Sequence, residues 1–281
     1  MSGVERFEEY ERKLRGIPYM VVGVLRREIS GATVSVRGAG KVDDSRIKAS
    51  GSVYIDRTLN IREINVAGRL EASEDLIAES ITIAGSLDIA GYIECGRLSI
   101  AGSCKAKGIE IKNWGKVSGR LIVGEDIGGG KLEVAGLLKT PKSVKLRELR
   151  LAGKLDVGGT VECNYIELKL SSDSHADSIR AREILVEKSK KREVRVQLFG
   201  INLIDISRRV ARKRVKPVLK VHKVIADHIE IYDTILEGEL RGGNIVIGKE
   251  AVIKGNVYYT KNIVVDERAT IFGEVKRIET R

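Results

Sequence analysis

At 281 residues and a net charge of +11, with 42% hydrophobic and 32% charged residues, the chain has the material for a sizeable core, and its basic balance points toward acidic partners. No apolar run reaches bilayer-spanning length and no secretory signal opens the sequence, so a cytoplasmic protein is expected, with membrane association as an alternative. Three cysteines (Cys95, Cys104, Cys163) without a Cys-x-x-Cys spacing argue against a disulfide framework or a zinc site and read as small buried hydrophobes. Abundant charge and a single glutamine, Gln197, suggest a thermophile.

Residues 1–29 read as a helical cap or tail. Ser2 and Glu5 form a capping box, and Val4, Phe7, Tyr10 and Leu14 share one helical face over residues 2–15. Such a segment would cover an open first coil or contact a membrane or partner.

Residues 30–170 carry a repeat. Ile64-Asn-Val-Ala-Gly-Arg-Leu70 returns as Ile81-Thr-Ile-Ala-Gly-Ser-Leu87, Leu98-Ser-Ile-Ala-Gly-Ser-Cys104, Leu132-Glu-Val-Ala-Gly-Leu-Leu138 and Leu149-Arg-Leu-Ala-Gly-Lys-Leu155. Gly51, Gly68, Gly85, Gly102, Gly119, Gly136 and Gly153 are each 17 apart. Two places after the glycine stands an apolar residue: Leu70, Leu87, Cys104, Leu121, Leu138, Leu155. Eight places after it stand Leu59, Leu76, Ile93, Ile127, Val144 and Val161, with Glu110 as the exception. Apolar positions alternate with polar ones, which is the period of a strand buried on one face. Seventeen residues leave no room for a crossover helix, so successive coils must pair in parallel as an all-β solenoid, a parallel β-helix. Left-handed β-helices use six-residue units and 17 is not a multiple of six, which favours a right-handed winding. Trp114 falls at a turn and reads as a corner plug.

Residues 171–222 read as an irregular basic segment, either altered coils or an insertion. Positions where Leu is expected hold Ser172, Ser189 and Lys223. Residues 180–223 contain 15 Lys and Arg against four acids, a surplus equal to that of the whole chain. Asp205 and Pro217 would bound a basic helix. Lys190, Lys191, Arg192, Arg208, Arg209, Arg212, Lys213 and Arg214 are the candidate contacts to an anionic membrane surface or an acidic partner. With Phe199 the only aromatic there, nucleic acid is the weaker candidate.

Residues 223–281 resume the coils. Gly238 with Leu240, and Gly255 with Val257, repeat the spacing, and Gly153 to Gly238 is five periods. The Ala-Gly-x-Leu coils, with Ile225-Ala-Asp-His-Ile-Glu-Ile-Tyr-Asp-Thr234 and Leu240-Arg-Gly-Gly-Asn-Ile-Val-Ile-Gly248, resemble the bactofilin, or polymer-forming cytoskeletal, family. That resemblance spans roughly 30–170 and 222–275. It implies a right-handed β-helix that stacks end to end into filaments without a nucleotide, often near a membrane.

Function therefore divides three ways. A non-enzymatic scaffold, binding no cofactor or metal and pairing with copies of itself through end coils, fits uniform apolar ladders. A binding module for anionic membrane or nucleic acid would rest on the basic segment. A β-helix carbohydrate-active enzyme would need clustered carboxylates, a histidine base or a metal. Only His175, His222 and His228 are available, and they are not one coil apart.

Overall fold

The computed structural model describes residues 19–189, 197–198, 201–202 and 216–279. The helix expected over 2–15 and the basic helix expected after Asp205 lie outside these residues. Among the described residues every regular element is a strand. The chain divides into two compact units, 1–149 and 150–281, a boundary that falls within the coils and not at their edge.

The first unit begins with β1 (Tyr19–Ile29) and β2 (Ala32–Val42), joined at Ser30 and Gly31, whose φ of 49° and 83° make the tight turn that fits strand twist. Both β1 with β2 and β2 with β3 (Arg46–Ile55) pair antiparallel. The sequence reading of 1–29 as cap or tail and of 30 onward as coil did not anticipate this hairpin. From β3 on, pairing is parallel: β4 (Leu59–Ala72), β5 (Leu76–Ile89), β6 (Tyr92–Ala106), β7 (Gly108–Val123) and β8 (Ile127–Thr140) follow in chain order.

Register carries the 17-residue period into space. Leu70, Leu87, Cys104, Leu121 and Leu138 are successive partners, and all five are buried. Each buried leucine contributes about 1.5–3 kcal/mol relative to exposure. A second ladder runs Leu59, Leu76, Ile93, Ile109, Ile127. Glu110, the exception at this position by counting, is displaced because the coil loses one residue there. Ile109 fills the ladder, and the register shift between Cys95 and Arg97 restores phase before Trp114 pairs with Arg97.

The second unit takes most of β9 (Val144–Leu170), then β10 (Ser174–Lys188), β13 (Val218–Tyr232), β14 (Ile235–Ile247), β15 (Val252–Lys254), β16 (Val257–Val265), β17 (Thr270–Phe272) and β18 (Val275–Arg277). All of these pair in parallel. Between β10 and β13 lie β11 (Gln197–Leu198) and β12 (Ile201–Asn202), an antiparallel pair.

Residues 174–188 and 218–222, assigned by sequence to the irregular segment, are regular coil. Ser174 occupies the place where leucine stands in the first unit. It is 3% exposed, and its hydroxyl accepts from the Leu155 amide (3.1 Å) and donates to the Ser172 carbonyl (3.1 Å). Those bonds satisfy the polar group that burial would otherwise penalise. Ile179 pairs directly with Val224, 45 positions on, where an uninterrupted coil would bring a partner 17 on. Some 28 residues between β10 and β13 are therefore an insertion between adjacent coils.

Candidate functional site

The last coil of the second unit is built like the others but ends differently. Ile263, Val265, Ile271 and Val275 stack in register on Ile245, Ile247, Ile253 and Val257, which are 1% exposed or less. Val265 and Val275 are nonetheless 45% and 46% exposed. The same coil turns Phe272 and Val264 outward to solvent. Beyond β17 and β18 no further strand pairs among the described residues, and Thr260–Val265 of β16 pairs only with β14. Unpaired strand edge above apolar ladder ends is a template for another strand.

The outermost strand of the first unit, β1, is treated in the opposite way. Arg27 pairs with the buried Val34 and so occupies a core-facing position. Its guanidinium donates to the Val42 carbonyl (2.8 Å) and to Asp44 Oδ1 (2.8 Å), leaving the side chain 17% exposed. A charge pointing inward at an edge discourages apolar stacking there.

The repeat glycines form two separate columns. Gly51, Gly68, Gly85, Gly102, Gly119 and Gly136 have φ between 125° and 142°. A Cβ at Gly85 would overlap the carbonyl oxygen of Gly68, so both backbone dihedral and space demand glycine. Gly153 has φ of 152°. Gly238 and Gly255 belong elsewhere: a Cβ at Gly238 would meet the Val221 carbonyl, and one at Gly255 the carbonyl of Gly238.

Leu240 accordingly does not continue the ladder on which Leu155 stands in this unit. It follows Val161, Ile179 and Val224 and precedes Val257. The Leu155 position continues instead through Ser174, Leu219, Leu236 and Ile253. Counting by 17 failed because the coil from β9 to β10 is lengthened at its corners and the insertion follows.

Lys190, Lys191, Arg192, Arg208, Arg209, Arg212, Lys213 and Arg214 all lie outside the described residues. In sequence they stand between the end of β10 at Lys188 and the start of β13 at Val218.

Titratable groups follow their surroundings. Burial pushes the Cys95 and Cys104 thiols up to about 12, while nearby carboxylates act in the same direction, and all three cysteines are buried and none is in a disulfide. On β13, Glu230 accepts from the Tyr232 hydroxyl (3.0 Å) and bonds His228 Nε2 (2.8 Å). Partial burial, then the Glu230 bond, raises the Tyr232 phenol. These three side chains are two residues apart and line the outer face of one strand. His175 pairs with Asp156 and Lys220 one coil to either side, and His228 with Glu183 and Asn244, so neither is in register with another histidine. Among the described residues no group of three His, Cys, Asp or Glu is placed to hold a metal, and no helix is long and apolar enough to cross a membrane.

Ion pairs link neighbouring coils on the outside, among them Lys112 with Glu94 (2.6 Å) and Lys254 with Glu237 (3.0 Å). Being exposed, each contributes little.

The chain was compared with protein-family models, curated proteins and solved structures. None of the three matches it.

Proposed function

We propose that this chain is a non-enzymatic structural scaffold that associates with copies of itself through its end coils. This is the cytoskeleton-like role, with right-handed winding, that its resemblance to the bactofilin family implies, and the cytoplasm is the location proposed for it. One observation carries the reading: Val265 and Val275 end buried apolar ladders yet stand almost half exposed beside unpaired strand edge. A second copy offers what that edge lacks, a strand of the same rise and the same inward residue spacing. Arg27 makes the first unit's outer strand the poorer surface for such stacking.

Negative-stain imaging of the purified full-length chain at low and high salt tests the proposal. Elongated assemblies or discrete end-joined oligomers are expected in both, because apolar stacking does not weaken with screening. Single particles at every concentration and salt would contradict it.

A further inference from the structure

Two places on the outer sheet faces, one in each unit, share a plan and carry opposite charge. In the first unit Trp114 of β7 is half-buried and lies in register between Arg97 of β6 and Lys131 of β8, with Lys116 two residues farther along its own strand. In the second unit Leu185 of β10 is half-buried and lies in register between Glu167 of β9 and Glu230 of β13, with Glu183 and Glu187 two residues to either side. In both places the in-register neighbours stand about 4.8 Å from the apolar centre and the same-strand neighbours roughly 6.6 Å from it. An apolar centre inside a charged rim is the anatomy of a protein contact, and tryptophan is enriched at the heart of such contacts.

Part of each rim is already engaged. Lys131 pairs with Glu133 (2.9 Å) and Glu148 (3.3 Å), Glu187 faces Lys169 (3.5 Å), and Glu167 is held by Lys169 and by Arg150 (3.7 Å). Arg97 and Lys116 make no ion pair among the described residues. Glu183 makes none there either, and Glu230 bonds His228 and Tyr232 but no lysine or arginine. Each rim therefore keeps two charges to offer, one on a neighbouring strand and one on the strand of the apolar centre.

Those charges meet in one arrangement. When one face is turned over onto the other with Trp114 on Leu185, crossing the strands near a right angle sets Arg97 over Glu183 and Lys116 over Glu230, and Lys131 then falls over Glu187. With the strands aligned, one of the two pairs of unengaged charges is always lost. We propose that the Trp114 face of one copy of this chain docks on the Leu185 face of a second copy. The partner is a second copy because the complement to each rim is carried by the chain itself. The matched patch spans only about 13 Å along a strand. A stable complex buries about 800 Å² per partner, so this contact is weak and salt-sensitive. It is independent of the end coil, whose apolar stacking persists when charges are screened.

Carbodiimide coupling in an equal mixture of 14N- and 15N-labelled full-length chain, read by mass spectrometry, is the test. Links between the labels from Lys116 to Glu230 and from Lys131 to Glu187 are expected at about 0.05 M salt, falling roughly fivefold or more at about 0.5 M. R97E/K116E and E183K/E230K should each lose the Lys131–Glu187 link roughly fivefold. Mixing the two variants should restore it, because Glu183 and Glu230 of the first meet Arg97 and Lys116 of the second. Trp114→Ala should weaken the link as well. K105E/R120E reverses as many charges on the far side of the glycine bend and should stay within about twofold of wild type. The substituted residues all lie on outer faces, and unchanged melting curves verify folding. Absence of links between labels, an undiminished link in either reversed variant, no recovery on mixing, or loss through K105E/R120E would each overturn the assignment.

Discussion

Gly85 lies in register on Gly68, and both hold φ near 140°, so that the carbonyl of one fills the space where a side chain of the other would begin. The repeated Ala-Gly is therefore a statement about backbone, and its replacement is expected to be costly. Gly85→Ala should destabilise the chain by roughly 3 kcal/mol, from dihedral strain together with displacement of the neighbouring coil. Equilibrium denaturation reads this. A loss no greater than that of Ala84→Gly beside it would show that the bend accommodates a side chain.

Leu138→Ala removes one rung of a buried ladder and should cost about 2–5 kcal/mol, since its in-register neighbour Leu121 is held by strand pairing and relaxes little. Val264→Ala, on an outward and 60% exposed side chain, should cost well under 1 kcal/mol. Comparable losses for the two would contradict the inward and outward assignment.

The 17-residue period was legible because the first unit's glycine and leucine recur at one corner and register preserves the count from Gly51 to Gly136. It misled beyond Gly153. Gly238 takes over a bend at a different corner, where it replaces the two residues Val221 and His222 of the preceding coil, and the multiple of 17 is accidental. Val246, eight places after Gly238, consequently faces outward between the buried Ile245 and Ile247. The hairpin of β1 and β2 had a signal, Ser30-Gly31 between alternating runs, but Arg27 interrupts the apolar pattern that would mark β1 as coil-like. The end coil was expected to need a partner, but its exposed valines are of the same residue type as valines buried in other coils. Only position in the stack distinguishes them.

The two cysteine thiols give a pH dependence. In the unfolded chain they ionise near 9.0, whereas in the folded core they stay protonated up to about 12. Between these values the unfolded state binds fewer protons, so stability falls as pH rises through the window. Denaturation midpoints should drop between pH 8 and about pH 10.5, and less so in C95A/C104A relative to its own value at pH 8. An equal drop in both proteins would show that the thiols are not responsible. In native protein both thiols should also resist alkylation until the chain unfolds.

Arg27 is expected to act at the first unit's edge in two ways. Arg27→Ala removes the bonds to Val42 and Asp44 and should cost about 1–3 kcal/mol, because the Val42 carbonyl loses a charged donor. Arg27→Leu should in addition promote self-association, since the inward charge is replaced by an apolar end. Light scattering at matched concentration distinguishes this from simple destabilisation, and equal scattering by the Leu and Ala variants would sink the gating role of the charge.

Sedimentation velocity on wild type and on V265K/V275K bears most directly on the claim that the open last coil is where copies of this chain meet. Both substitutions fall on exposed positions at the end of the stack, so the variant should fold and sediment as a single slow species while wild type shifts to faster species with increasing concentration. A wild type that stays monomeric across the range, or a variant that assembles as wild type does, would contradict the account.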